Sequence, residues 1–280
     1  MTSDGAARLR AFRVAYDGTG YHGFQRQPTV STVEGAILDG LTELGVTTDP
    51  DTIPPSYAAA GRTDAGVSAI AQTVGFEAPP WLTPSVLNGV LPEDIWVWAD
   101  AAVEPGFHAR HDAVERVYEY RLHLGTADID IDLAVDTLDR LTGDHDFHNL
   151  TPDQDGTRRS VAGDIRRDGR FLVITVQAGG FPRQLVRRIV AVVESVSTGE
   201  AEPTYVDRLL DAQPVDGPLG VEPASPEPLL LADVIYPSVD FTADPDAVDS
   251  IVAALADRRA RLETRTSLTR RLAEAIDEHP

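Results

Sequence analysis

Residues 61–67 of this 280-residue chain, Gly-Arg-Thr-Asp-Ala-Gly-Val, set one carboxylate beside one guanidinium in a glycine-bounded turn. The Asp64 carboxylate could serve as a nucleophile or a general base, and the planar fork of Arg62 suits phosphate or carboxylate. Gly61 and Gly66 permit positive φ, so a ligand backbone could lie over the turn. Thr and Asp also occupy purely structural turns, because their side chains bond their own backbone. The rest of the chain must decide between these readings.

The flanks of this turn predict a corner between strands. A short apolar run, residues 57–60, precedes the turn. Small or apolar residues then alternate at the spacing of a half-buried strand: Val67, Ala69, Ala71 and Thr73. We therefore expect Asp64 at a strand-to-strand or strand-to-loop corner.

The Arg-Thr-Asp-x-Gly-Val run resembles the signature of the TruA family of tRNA pseudouridine synthases, in which it carries the catalytic aspartate. Four further stretches are similar to motifs of that family and follow in its order. They are residues 16–27, with Tyr-His-Gly-Phe-Gln-Arg-Gln; residues 107–120, with Phe-His-Ala-Arg and Arg-x-Tyr-x-Tyr; residues 181–190, with Phe-x-Arg-x-Leu-Val-Arg; and residues 229–237. The resemblance spans about residues 9–238.

The resemblance implies roles for particular side chains. Asp64 would be the catalytic carboxylate, Arg187 would pair with it, and Tyr118 would stack on the uracil and take part in catalysis. Arg62 would occupy the space that a flipped-out nucleotide leaves in the RNA. Further RNA contacts are expected from Gln25, Arg26, His108, Arg110 and Arg183. Tyr118 also fits a core position, since aromatic residues are common on strands.

The implied reaction isomerises uridine: the bond from ribose to N1 breaks, the base turns while bound, and C5 rejoins the ribose. Asp64 could act at C1′, at C6, or as the base that removes a ribose proton, and the sequence leaves these routes open. No cofactor is expected. By the same resemblance the substrate is tRNA at positions thirty-eight to forty of the anticodon stem-loop, and the enzyme is a homodimer. Ser68 stands where bacterial members often have His, which favours an archaeal variant.

Composition limits the class of protein. With 280 residues, 42% of them hydrophobic, the chain is long enough for two domains with a sizeable core. No apolar run is long enough to cross a bilayer and the start lacks a signal-peptide pattern, so we expect a cytoplasmic protein with no membrane partner. Cysteine is absent, and the histidines, including His108 and His111, show no convincing ligand spacing, so we expect no metal.

The net charge argues against RNA binding at low salt but not at high salt. Arg and Lys number 24 against 45 Asp and Glu, which gives a net charge of −21, and every one of the basic residues is Arg. An acidic, lysine-free chain is typical of a haloarchaeal cytoplasm that holds molar salt. At about 1 M salt the Debye length falls to about 3 Å, so repulsion between an acidic surface and RNA is nearly abolished. Binding would then depend on bidentate arginine contacts and base stacking.

One segment of this acidic chain is basic. Its charged residues are Arg158, Arg159, Arg166, Arg167, Arg170, Arg183, Arg187 and Arg188, with Asp164 and Asp168. We expect this basic island to bind RNA. The alternative is a solvated face whose arginines pair with acidic neighbours, since exposed charges often do no more than that.

Periodicity predicts an α+β fold of two similar halves. The resemblance implies ferredoxin-like or RRM-like halves that share a continuous, mainly antiparallel sheet, with helices on one face and a central cleft. Residues 1–104 would carry the Asp64 loop, and residues 105–240 the tyrosine strand and the arginine-rich helix. Besides the strand at the turn, strands are predicted over residues 9–16, 95–102, 116–124, 169–177 and 229–236, and helices over residues 32–45, 84–90, 133–141, 182–198 and 205–212.

Residues 241–280 form an extension beyond the family resemblance. Apolar residues recur there at helical spacing with charges between them: Val248, Ile251, Val252, Leu255, Leu262, Leu268, Leu272 and Ile276. This pattern predicts one or two amphipathic helices that pack on the body of the protein rather than bind RNA. A second departure is the connection over residues 121–132, which is shorter than is usual in the family and puts the contacts of a longer insertion in doubt.

Two other functions stay open from the sequence. A tRNA-binding protein of the same fold could use the cleft without turnover. A hydrolase or phosphotransferase with Asp64 as nucleophile would need an acidic metal cluster or a glycine-rich phosphate loop. Neither a Walker pattern nor a zinc-type or histidine-triad spacing occurs in the chain.

Overall fold

The computed structural model describes residues 6–49, 51–125, 129–213, 215 and 221–278. Within these residues the chain has an α+β fold in which ten strands join one sheet. All pairings but one are antiparallel. The predicted fold class is therefore confirmed.

The first half of the sheet has the strand order of a ferredoxin-like fold. Its elements are β1 (Arg8–Tyr16), α1 (Val33–Glu43), β2 (Ala58–Ala59), β3 (Ser68–Ala78), α2 (Pro84–Asn88) and β4 (Ile95–Ala102). β1 lies between β4 and β3, and β2 pairs with β3. Thr32 and Thr83 are the N-caps of the two helices, because each hydroxyl accepts a backbone N–H of the first turn.

The second half repeats this order. Its elements are β5 (Glu115–His123), α3 (Ile131–Leu141), β6 (Gly143–Asp146), β7 (Arg158–Asp168), β8 (Phe171–Ala178), α4 (Leu185–Ser197), α5 (Tyr205–Leu210) and β9 (Leu229–Ile235). β5 lies between β9 and β8, and β7 pairs with β8 on the other side. β6 then extends the outer edge beside β7. Each half therefore sets its first strand between its third and fourth principal strands.

The two halves meet along a short parallel seam between β3 and β9. The paired residues are Ser68 with Leu230 and Ala69 with Leu231. This seam begins directly after residues 61–67. The predicted site consequently lies where the two halves join.

Each half has its own hydrophobic core, and residues near the seam connect the two. Phe12, Ile37 and Phe76 belong to the first core, and helices α3, α4 and α5 contribute to the second. Val67, which ends the Asp64 turn, is buried in the second core, and Tyr118 packs against both. The turn is therefore anchored in the opposite half.

β3 differs from the half-buried strand that its alternation predicts. Residues 71–76 are all buried, including Gln72 with an exposure of 0%. The first core covers one face, and Phe107 covers the other so closely that a Cβ at Gly75 would lie 3.2 Å from its ring. A central strand of the sheet is thus enclosed on both sides.

The predicted elements match the observed ones except for a few residues at their ends, a difference of the usual size. The sequence pattern does not predict β6, β7 or the edge strand β10 (Thr242–Ala243). Most of β7 is exposed or half-buried, and it is rich in arginine, so its hydrophobic signal is weak. The domain boundaries at residues 104 and 240 stay predictions. Within the shortened connection, residues 126–128 lie outside the described residues.

The extension forms a single 33-residue helix, α6 (Pro245–Asp277). Its first turns pack on the body through Ala247 and Ile251, the two buried residues of the helix. Asp244 caps it and bonds Ser85 of α2. The packing expected of the extension is limited to these first turns, because residues 259–274 are all exposed.

Candidate active site

The turn over residues 61–67 is shaped by its backbone. The N–H of Val67 bonds the carbonyl of Asp64 over 3.2 Å, and Gly66 has a φ of 82°. A neighbouring loop lies against the turn, because the N–H of Phe24 bonds the carbonyl of Thr63 over 3.1 Å. Gly23 in that loop has a φ of 93°, and a Cβ there would lie 2.9 Å from the Thr63 carbonyl oxygen. A glycine is required at this close approach.

Side chains of the first half fix the turn by hydrogen bonds to Thr63 and Gly61. The Tyr16 hydroxyl and the Thr63 hydroxyl are hydrogen-bonded at 2.8 Å, and both residues are buried. Burial raises the pKa of Tyr16 well above its usual range, so this phenol stays neutral. The amide of Gln72 donates to the Gly61 carbonyl over 3.0 Å. Gly61 and Thr63 are therefore held in place, and the Asp64 side chain lines the cleft.

Asp64 forms an ion pair with Arg187 across the boundary between the halves. The distance from Arg187 Nη1 to Asp64 Oδ2 is 3.1 Å. Arg187 Nε also donates to the Ala224 carbonyl over 2.7 Å, which fixes the guanidinium from its other side. The Arg187 side chain is 13% exposed and that of Asp64 is 36% exposed. The carboxylate is thus paired and oriented, yet accessible to a ligand.

Tyr118 lies beside this pair, on β5. Its ring meets the ring of Phe181 edge-on, with centroids 5.4 Å apart. The pKa of the Tyr118 phenol is raised to about 12, chiefly by burial and also by the charge of Asp64, while Arg116 opposes the shift. The phenol is therefore neutral at physiological pH and can donate a hydrogen bond.

Arg116 is a site residue that sequence reasoning missed. The residue is 9% exposed. Its guanidinium donates to four backbone carbonyls, those of Ala60, Arg110, Ala113 and Gly179. Ala60 immediately precedes the Asp64 turn, and Gly179 precedes Phe181. Burial lowers the pKa of Arg116 below its usual value, but an arginine stays charged. The Arg-x-Tyr motif contained this residue, but its acceptors are backbone atoms that leave no mark in the sequence.

A cavity of about 910 Å³ lies between the halves and brings most of the predicted residues together. Its lining includes Asp64, Tyr118, Arg187, Arg62, Gln25, Arg110 and Arg183. Arg26 and His108 are outside this lining. Arg26 Nη2 instead pairs with Asp51 at 2.9 Å, and the His108 ring packs on His111, with centroids 4.2 Å apart. His111 does line the cavity.

The rim of the cavity carries side chains that point into solvent. Gln25, Arg62 and Arg110 are exposed, and their side chains have no hydrogen-bond or ion-pair partner among the described residues. Arg183 pairs with Asp153 at 2.5 Å, with 69% of the arginine side chain exposed. The Arg183 backbone N–H and guanidinium hold the pKa of Asp153 below its usual range. Polar groups are thus available on the rim for a charged ligand.

The basic island is divided by the fold. Arg159, Arg183 and Arg187 line the cavity. Arg166, Arg167 and Arg170 are exposed around the β7–β8 turn, at the end of β8 opposite to Gly179 and the cavity. The single basic segment of the sequence therefore contributes two separate surfaces.

The described part of the chain contains no group of three or more His, Cys, Asp or Glu that could hold a metal ion. Among the same residues, none of the helices is long and apolar enough to cross a membrane. The expectations of no metal and no membrane partner stay predictions.

A family profile assigns a class to this cleft. Residues 138–237 match a profile described as tRNA pseudouridine synthase, and this stretch includes α4 with Arg187 and β9 at the seam. The match covers 100 of the 280 residues and points to the class of the pseudouridine synthases. Relatives of known name then make the family specific.

The tRNA pseudouridine synthase A of Haloarcula marismortui is 53% identical over 275 residues, which cover 96% of this chain and 98% of the relative. That of Natronomonas pharaonis is 54% identical and covers 90% of this chain and 94% of its own. That of Archaeoglobus fulgidus is 35% identical, with coverages of 89% and 91%. The chain belongs to the tRNA pseudouridine synthase A family, and the resemblance seen in its motifs is confirmed.

Among solved structures, a chain described as "Crystal Structure of a Cbf5-Nop10-Gar1 Complex" aligns with a TM-score of 0.31 and 12% identity. The alignment covers 65% of this chain and 54% of that chain. A similarity of this size supports no conclusion about the present protein.

Proposed function

We propose that this protein isomerises uridine to pseudouridine in tRNA and that Asp64 is its essential carboxylate. The observation that carries the proposal is the ion pair between Asp64 and Arg187, at 3.1 Å. It lies on the floor of the cleft between the two halves, the part of the cavity lined by Asp64, Arg116, Tyr118 and Arg187. Membership of the tRNA pseudouridine synthase A family supplies the reaction and the class of substrate.

The chemistry assigns separate tasks to the residues of the floor. Arg187 pairs with Asp64 and aims it, so that the carboxylate can act at C1′, at C6, or on a ribose proton. Tyr118, which is neutral at physiological pH, stacks on the uracil and can move a proton late in the reaction. Phe181 supports the Tyr118 ring from its edge. The bond from ribose to N1 breaks, the base turns in place, and C5 bonds C1′ of the ribose. C5 then loses its proton, and N1 takes one up.

The substrate region we propose is the 3′ side of the anticodon stem-loop, at one or more of positions thirty-eight to forty. A uridine in a stem must leave the helix to reach a cavity floor, which costs a few kcal/mol in unstacking. Arg62 on the rim is the side chain we assign to the vacated space, because it is exposed beside Asp64 and has no partner among the described residues. Gln25, Arg110 and Arg183 would contact the surrounding RNA.

Three further properties belong to the same proposal. The net charge of −21 and the two haloarchaeal relatives support function in molar salt. We also propose that the protein is cytoplasmic, where tRNA is modified, and that it acts as a homodimer.

The test maps pseudouridine by carbodiimide-dependent reverse-transcription stops on an unmodified archaeal tRNA transcript in molar potassium chloride. Wild type, Asp64→Ala and the matched control Asp153→Ala are compared, because Asp153 is a second carboxylate that lines the same cavity. We expect a stop in the region of positions thirty-eight to forty with wild type and Asp153→Ala, and none with Asp64→Ala.

Two outcomes would contradict the proposal. If no variant gives a stop although the folded protein binds the transcript, the protein binds tRNA without turnover. If chelation with EDTA abolishes turnover of an isolated stem-loop, a metal-dependent reaction replaces the one proposed.

A further inference from the structure

The second half of α6 is the most exposed regular element of the described chain. Residues 259–274 are all exposed, and Leu262 and Leu272 are 56% and 55% exposed. At 1.5 Å per residue the segment from residue 259 to residue 277 is roughly 28 Å long. A helix of this length without tertiary packing has no structural task within its own subunit.

The position of this segment relates it to the cleft. α6 begins beside Trp98 and Ser85 and runs to Asp17, with which Arg258 forms an ion pair. Asp17 follows the last residue of β1, at the end of the strand that pairs with the start of β3. The next residue, Gly18, bonds Ser68 and leaves no room for a Cβ against the Val67 carbonyl. The helix therefore passes the base of the Asp64 turn and continues beyond it.

The exposed segment carries more arginine than acid. Residues 259–277 contain five arginines against two glutamates and one aspartate, a net charge of 5 − 3 = +2 in a protein whose net charge is −21. The arginines are Arg259, Arg261, Arg265, Arg270 and Arg271. Arg261, Arg265 and Arg270 have no ion-pair partner among the described residues. Arg261 and Arg265 lie one turn apart on one face of the helix and Arg270 lies on another, and unpaired arginines suit a polyanion.

A second copy of the chain is the other occupant to consider, because Leu255, Leu262 and Ile276 recur at multiples of seven residues, as in a coiled coil. The pattern fails between them, since Arg258 and Arg265 fall three residues after Leu255 and Leu262, where a coiled coil needs apolar side chains. Parallel pairing along this stripe would also bring Arg258 and Arg265 of the two copies face to face. Charge complementarity therefore favours RNA.

We propose that the exposed half of α6 is an RNA-binding arm that contacts tRNA phosphates outside the catalytic cleft. The inference rests on the proposed function for the identity of the RNA. At molar salt these contacts act at short range, through direct arginine-phosphate hydrogen bonds rather than through a long-range field.

The test removes three charges from the arm in the full-length protein with Arg261→Gln, Arg265→Gln and Arg270→Gln together. Glutamine is a good helix former, and these residues are exposed, so the helix and the fold are retained. The control is Arg8→Gln with Arg208→Gln, two exposed arginines outside the arm, the cavity lining and the basic island. In molar potassium chloride we expect the arm variant to raise Kd and KM for unmodified tRNA by about tenfold. We expect kcat to stay unchanged, and the control to match wild type.

Sedimentation velocity and direct binding assays separate the possible outcomes. An unchanged Kd for the arm variant, or an equal loss in the control, would overturn the inference while leaving the proposed function intact. A change in molar mass, in the arm variant or in Leu262→Asn with Leu272→Asn, would assign the face to a second copy and also overturn it. A further outcome is that wild type forms no pseudouridine while the arm variant, unlike the control, still binds tRNA more weakly than wild type. That result would support the RNA-binding arm and contradict the proposed function.

Discussion

The floor and the rim of the cleft are built in opposite ways. On the floor, Asp64, Arg187 and Arg116 are tied to carbonyls or to one another across the seam. On the rim, Arg62 and Arg110 extend into solvent and have no partner among the described residues. The protein thus holds its reactive groups in place before substrate arrives and leaves its RNA contacts to form on binding.

This difference has an energetic reason. Ordering an exposed arginine in advance would cost side-chain entropy without any gain, whereas a misplaced carboxylate would slow the reaction directly. Floor variants should accordingly change kcat, and rim variants should change KM.

The largest effect is expected for Asp64→Asn. The change keeps the shape of the side chain but removes the charge that pairs with Arg187, so kcat should fall about a thousandfold or more. The thermal unfolding midpoint should stay near that of wild type, as measured by circular dichroism in molar salt. Turnover at the wild-type rate would remove Asp64 from the mechanism.

Arg187→Ala should lose both activity and stability. The change leaves Asp64 without its counter-charge and the Ala224 carbonyl without its donor, which we expect to cost about 2 kcal/mol in the free energy of unfolding. Denaturant unfolding and single-turnover kinetics measure the two effects. Arg183→Ala is the matched control, because Arg183 is an exposed arginine that lines the same cavity just before α4 begins. Equal losses in both variants would erase the distinction between floor and rim.

Arg116→Ala tests whether the floor needs the four hydrogen bonds that the buried Arg116 donates to backbone carbonyls. Four carbonyls would lose their donor, so the free energy of unfolding should fall by about 3 kcal/mol. Below the unfolding transition, kcat should fall further than KM rises, because the Asp64 turn is no longer held against Gly179. Arg116→Lys should restore part of the stability, but less of kcat, since one ammonium cannot reach all four acceptors. A variant with normal kcat in the folded state would reduce Arg116 to a purely structural role.

Rim variants should have smaller effects. Arg62→Ala and Arg110→Ala should each raise KM for tRNA by about fivefold without moving the unfolding midpoint, because each removes one exposed contact to RNA. Steady-state kinetics with unmodified transcript gives the split between KM and kcat. If Arg62→Ala lowered kcat and left KM unchanged, Arg62 would act in the reaction itself rather than in binding RNA.

The smallest effect concerns pH. Tyr118 has a folded pKa of about 12, above the value of about 10 for an unfolded tyrosine. The unfolded phenol ionises first, so the free energy of unfolding is unaffected below pH 10 and falls as the pH rises from 10 to 12. Tyr118→Phe should flatten this fall. The pKa of Tyr120 is also raised to about 12. Tyr120→Phe should therefore flatten the fall in the free energy of unfolding too, but leave turnover unchanged.

The sequence carried the parts of the fold and site that depend on local pattern. Glycine spacing and alternation predicted the corner at Asp64, and periodicity predicted α1 and α2 to within a few residues of their ends. The clamp of Arg116 could not be predicted, because its four acceptors are backbone carbonyls from separate loops. The exposure of α6 was equally hidden, since an apolar stripe in a sequence indicates a helix face but not what covers it.

The seam between β3 and β9 joins the halves through two residue pairs, and Asp64 and Arg187 belong to different sides of it. Any local opening that parts these strands separates the two groups and withdraws Val67 from the second core. Loss of turnover in denaturant should then precede loss of secondary structure, and amides at the seam should exchange with solvent sooner than those of β1 or β8. Catalytic competence is in this sense the least stable property of the chain.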